Sequence, residues 1–333
     1  MPYITPQGVS PAYTPQRKAR FPFPPQGIPV IGYRLPDGNL YLYRRRVRIT
    51  EQSGNTLTDY QIRIEIGAGD PIFAHACSAG EDIRFCYYPE EEMLSYWIEK
   101  YDPDAEEAII WVKVPEIPAN SEIEIYMYYG NPEVASASDG EATFEFFDDF
   151  EGEDLDTSKW DVKTNPPKYS VANSILTIDL YDDDDWIRTY DSFGLGTAIR
   201  MFAYFKGNGQ NIEGYTTSPT STPWVHSFTV SYSWAVANGV GSATSDGGTV
   251  EKHAFTDTSP GTWDTYDLIR ESPSQYIAKR ADGEKGTNTH TTELIAGDAS
   301  IFFHSDGGTF KCDWVLVRKY ISPEPSVSVL REE

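Results

Sequence analysis

Cysteine is scarce in this chain of 333 residues: Cys77, Cys86 and Cys312 are the full set, so at most one internal disulfide can form. Cys77 and Cys86 are close enough in sequence to bridge. No Cys-x-x-Cys spacing exists, and three small buried hydrophobes are the simpler reading. Long apolar runs are missing as well; none approaches the roughly 18 residues of a membrane span, so no span is expected. The opening, MPYITPQGVSPAYTPQ, has neither the charged nor the apolar region of a signal peptide. The expectation is a protein that is intracellular when made, or one exported without such a signal. Positive charge is short too: 27 Lys plus Arg stand against 51 Asp plus Glu, a net −24 that repels nucleic acid and anionic membrane. No P-loop, dinucleotide fingerprint, nucleophile elbow or HExxH motif occurs. The five histidines, His75, His226, His253, His290 and His304, are scattered without metal or triad spacing.

Aromatic residues, by contrast, are plentiful, with 22 Tyr, 16 Phe and 8 Trp. Together with Thr and Val they suit pleated, half-buried surfaces, and 23 Pro and 26 Gly supply breaks between short strands. An all-β chain of two domains follows. Residues 1–40 read differently. Prolines from Pro2 to Pro36 forbid helix and ladder and favour an extended course. Eight basic residues up to Arg48 (Arg17, Lys18, Arg20, Arg34, Arg44, Arg45, Arg46 and Arg48) face one acid, Asp37. Aromatics among the prolines suggest an arm that docks, through Arg17, Lys18, Arg20, Phe21 and Phe23, on another copy of the chain or a neighbouring structural subunit. A disordered tail is the alternative.

From Leu40 to Asn131 the pattern is period two. Tyr60, Ile62, Ile64 and Ile66 share one face, as do Arg45, Val47 and Ile49. Arg44, Arg46 and Arg48 fall on the opposite face, where Glu65, Glu122 or Glu124 could meet them across strands. The stretch Asp139–Trp160 then joins an aromatic strand, Phe144–Phe150, to an acidic turn.

Four clusters carry a resemblance: Asp82-Ile83-Arg84-Phe85, Tyr96-Trp97-Ile98-Glu99, Trp111-Val112-Lys113-Val114-Pro115 and Tyr128-Tyr129-Gly130-Asn131. Residues 41–147 resemble the domain-of-unknown-function family 2341, which implies a β-sandwich in a surface or particle protein and no known chemistry. Residues 148–322, opening FDDFEGEDLDTSKW and closing KCDWVLVRKY, resemble a concanavalin-A-like lectin/glucanase sandwich. That likeness implies a jelly roll whose first and last strands pair. Residues 323–333 read as an exit loop and a frayed tail.

A glycosidase on this second fold needs two facing carboxylates. The Glu-x-Asp-x-(x)-Glu strand of glucanases is absent; Asp149 and Glu151 come closest, on the opening strand, where their acids serve the turn. Asp182, Asp183, Asp184 and Asp185 crowd one loop and are candidate ligands for a structural calcium ion; Asp149 and Glu151 belong to a second, separate acidic cluster that is also a candidate. A solvated acidic loop is the plainer alternative. Trp224, in a loop-like stretch, and Trp186 are the candidate sugar platforms; Trp234 and Trp263 read as core. The functional expectation is a non-catalytic structural or attachment protein of a virion or cell surface, anchored by its arm and able to meet cell-surface glycans. The alternatives are a lectin or glycoside hydrolase, and a self-assembling filament subunit.

Overall fold

The computed structural model describes residues 32–87, 92–163, 168–178, 186–217, 226–232, 239–247, 249–256 and 260–333. Two antiparallel sheets build the first sandwich. One has the order Ser326–Glu332, Tyr43–Thr50, Glu122–Tyr129, Arg84–Tyr87; the other is Leu57–Ile66, Glu107–Ile117, Tyr96–Asp102. Alternation decides which side chains lie between them. Tyr60, Ile62, Ile64 and Ile66 enter the core with Val47, Ile49, Val112 and Val114, as period two requires. Arg45 shares that inward face and is buried, donating to both carboxylate oxygens of Asp70 at 2.5 Å. On the outer face Arg48 pairs with Glu122 and Glu124, each at 3.1 Å. Glu65 lies in the other sheet and pairs with Arg63 instead.

The family-like motifs serve this framework. Asp82, fully buried, accepts the backbone N–H groups of Cys77, Gly130 and Asn131 at 2.6–2.9 Å. Gly130 has φ +88°, and a Cβ there would stand 2.6 Å from a ring carbon of Tyr43. Gly130→Ala is therefore expected to cost about 1–3 kcal/mol in urea unfolding. A change below a few tenths would show that the turn is not under this constraint.

The reading of residues 323–333 as a frayed tail needs correction. Ser326–Glu332 is a strand of the first sandwich, with Val327 and Val329 opposite Ile49 and Val47. Val327 and Val329 pack on the core, and Glu332 accepts from the Tyr129 hydroxyl at 2.6 Å. The second sandwich is thus an insertion between strands of the first. Residues 33, 34, 40 and 41 form a small two-stranded pairing ahead of the first sandwich. The anchoring residues Arg17, Lys18, Arg20, Phe21 and Phe23 lie outside the described residues.

The second sandwich departs from a set of uniformly short strands. Two 20-residue strands, Thr197–Thr216 and Ser300–Lys319, pair along their whole lengths and run through both layers. Register shifts near Phe202 and between Gly207 and Gln210 let them bend without breaking. Toward one end they join Phe146–Asp148, Trp263–Ser272, Gln275–Arg280 and Thr287–His290. Toward the other they join Trp160–Lys163, Trp186–Thr189, His226–Tyr232, Val240–Asp246 and Val250–Ala254. Between the layers lie Ile199, Met201, Phe205, Tyr215, Phe228, Leu268, Phe303 and Phe310. The opening strand pairs with the closing one, Phe147 opposite Leu316, as the resemblance implies.

Candidate functional site

The outer faces of two sheets meet where the sandwiches join. Trp97 and Trp111 of the first pack with Phe144, Phe147, Trp314 and Leu316. Trp97 stands edge-on to Trp314, with ring centroids 5.1 Å apart. Beside this apolar patch sits a fully buried guanidinium, Arg200, on the long strand Thr197–Thr216. Its register partner Asp267 accepts from Nη1 at 2.6 Å. Asp282, in the Ala281–Gly283 turn, accepts from Nη1 at 2.8 Å. Glu99, from the first sandwich, accepts from Nη2 at 2.7 Å and from Nε at 3.0 Å. Glu99 also takes the Trp111 indole N–H at 2.7 Å. A single cation therefore holds three carboxylates from three separated parts of the chain.

A cleft of about 220 Å³ opens along this junction, lined also by Tyr60, Arg63, Lys279, Arg318 and Glu324. Arg318 lies over the Trp111 ring at 5.1 Å and pairs with Glu324 at 2.5 Å. Burial works against the charge of Asp282 and Glu324, but their arginine partners outweigh it and hold both carboxyls below the ordinary value. For Asp267 burial wins, and its carboxyl is raised despite Arg200. Every one of these acids is engaged by an arginine. The arrangement clamps the two sandwiches together.

The residues expected from sequence fall elsewhere. Trp224 and Asp182, Asp183, Asp184 and Asp185 lie outside the described residues. Trp186 is described and is no exposed platform: only 7% of it is exposed, and Arg188 lies 4.6 Å above its ring. Asp149 and Glu151 border an open hollow near Trp97 and Ser138. They belong to no converging set of three metal-ligand side chains among the described residues. Their neighbour Asp148 is buried and accepts the Trp160 indole N–H at 2.6 Å and the Phe150 N–H at 2.8 Å. Asp156 likewise accepts from the backbone and hydroxyl of Ser158. These two acids serve the turn. The set that does converge is Glu251, His253 and His290. Sequence reading missed it, although Glu251 and His253, two apart on a strand, share a face.

Residues 79–163 match the family described as a domain of unknown function, DUF2341. The match begins inside the first sandwich and extends through the acidic turn to Lys163. No curated protein matches the chain. Three solved structures resemble it at low identity. The Bacillus licheniformis β-glucanase is 14% identical with a TM-score of 0.41, over 52% of this chain and 97% of that one. The endo-β-1,3-glucanase of Pyrococcus furiosus is 9% identical with a TM-score of 0.43, over 54% and 95%. A pseudo-β-1,3-glucanase of Mycobacterium tuberculosis is 15% identical with a TM-score of 0.40, over 53% and 98%.

Proposed function

We propose that the protein is a non-catalytic structural or attachment protein of a virion or cell surface, with the first sandwich as base and the second as displayed head. The insertion topology carries this reading. The strands Tyr43–Thr50 and Ser326–Glu332 lie side by side in one sheet, so the second sandwich is joined to the first at both of its ends. The head is then fixed to the base by the aromatic patch and the Arg200 clamp. Both features favour a rigid projection over a mobile tether. The acids at the base–head junction are each paired with an arginine, which favours a structural role for them. On this reading residues 1–40 anchor the base to neighbouring subunits or other copies of the chain.

Glycan binding by the head is a second reading. Its support is a row of hydroxyls on the head's second sheet, where Ser227, Thr229 and Ser245 alternate with core residues, although all three are buried. The Thr229 hydroxyl is buried without a hydrogen-bond partner. One experiment tests the main reading: compare the full chain with a variant lacking residues 1–31 by immunogold labelling of producing cells and their particles. Full-length protein on surfaces and a soluble deletion variant are expected. Surface incorporation of the deletion variant would overturn the anchor, and release of reducing sugar from β-glucans by the full chain would overturn the non-catalytic assignment.

A further inference from the structure

A polar cluster closes one edge of the second sandwich. Glu251 and His253 lie on Val250–Ala254 and point inward, opposite Thr244 and Ser242 of the adjoining strand. His290 ends Thr287–His290, the edge strand of the facing sheet. The ligand atoms of Glu251, His253 and His290 all lie within 4.8 Å of one another. His253 Nε2 stands 3.0 Å from Glu251 Oε1, and the two imidazole centroids are 4.9 Å apart.

We propose that Glu251, His253 and His290 form a binding site for one zinc-class divalent cation that ties the two sheets together at this edge. The side chains are already oriented for it. Glu251 Oε2 accepts from Thr291 N at 2.9 Å, Thr292 N at 2.7 Å and Thr292 Oγ1 at 2.8 Å, which leaves Oε1 turned toward His253.

A chain of hydroxyls assigns the state of His290. Thr244 Oγ1 gives its proton to the carbonyl of Thr292 at 3.0 Å, so toward His290 Nδ1, at 3.4 Å, it can only accept. Nδ1 therefore carries the proton. Nε2 keeps a lone pair, which accepts from the Ser242 hydroxyl at 2.8 Å, and Ser242 is held in turn by Asn288 at 3.0 Å.

The donor set is one carboxylate oxygen and two imidazole nitrogens. That suits zinc and its neighbours, whereas calcium takes six to eight oxygens. Ligand atoms around a tetrahedral zinc stand about 3.3 Å apart, from bonds of about 2.0–2.1 Å. A separation within 4.8 Å asks for a small closing movement only. The hydrogen bonds behind Glu251 and His290 are the kind of outer partners that fix metal ligands. The His253 side chain, 42% exposed, gives the ion its way in and leaves a fourth position for water.

The test is calorimetric titration of the untagged, metal-stripped full chain with zinc chloride, alongside thermal melts. One zinc per chain, micromolar or tighter binding and a raised melting temperature are expected, with no shift from calcium chloride. His253→Ala should weaken binding at least tenfold while melting as the parent does without metal. If the alanine variant fails to fold, His253→Gln takes its place. Absence of saturable binding, or a His253 variant that binds as tightly as the parent, would overturn the proposal.

Discussion

Arg200→Met is expected to lower the unfolding free energy by about 3–5 kcal/mol, because removing one partner of a buried ionic set leaves the others uncompensated. Glu99 and Asp267 are almost wholly buried with it, at 4% and 5% side-chain exposure, so water cannot replace the lost guanidinium. Methionine fills similar volume and supplies no charge, which isolates the electrostatic part. Guanidinium denaturation of both proteins gives the number. A loss under about 1 kcal/mol would mean that the clamp is dispensable and the aromatic patch alone fixes one sandwich to the other. Replacing all four charged partners with apolar groups need not be so costly, since a buried ionic cluster often matches a hydrophobic one in net stability. The wild-type arrangement is better understood as setting the angle between the sandwiches.

Glu213→Met should act in the opposite sense and stabilise the protein by about 1–3 kcal/mol at neutral pH. Glu213 is fully buried in the second sandwich, opposite Phe303 and Val230, and neither carboxylate oxygen has a hydrogen-bond partner. Burial drives its carboxyl well above the ordinary 4.5. The folded chain therefore keeps a proton that the unfolded chain releases once pH passes about 4.5. Stability from the neutral acid is complete below that point and declines as pH rises toward the folded value. The gain from Glu213→Met should accordingly be small at pH 4 and large at pH 8, measured by urea unfolding at both. Equal gains at the two pH values would refute the buried acid as the cause. Carboxyls such as Glu51 and Glu251, both held near 2 by hydrogen bonds that outweigh any burial, pull the other way, their contribution fading as pH falls. The parent–variant difference cancels them.

The strands that could be read from sequence were those whose faces differ in polarity. Tyr60, Ile62, Ile64 and Ile66 alternate with Gln61, Arg63 and Glu65, and only one register puts them in a core. The outer ladder was half legible. Glu124 sits across from Arg48 in the pairing, while Glu65 belongs to a sheet the local pattern could not assign. The last strand carried its signal in Val327 and Val329, but Pro323 and Pro325 just before it read as an exit into disorder. The two bent strands were invisible as units, because the glycines that allow bending also read as breaks. The Arg200 clamp could not be found at all. Its acids, 99, 267 and 282, come together only through tertiary register. Trp186 was misjudged although its cover was legible: Arg188, two residues on in the same strand, shares its face and lies over its ring.

The side-by-side placement of Tyr43–Thr50 and Ser326–Glu332 also decides how the molecule carries load. Arg44 and Glu333 exchange backbone hydrogen bonds, so a pull applied at these two points acts on neighbouring ends of one antiparallel pair. Such a pair opens like a zipper, one rung after another, instead of shearing all its rungs together. The inserted sandwich hangs outside that line of force and feels no tension until the zipper has run its length. Force applied to the second sandwich itself would reach the first through the Trp97 patch and the Arg200 clamp, and would bypass the weaker seam.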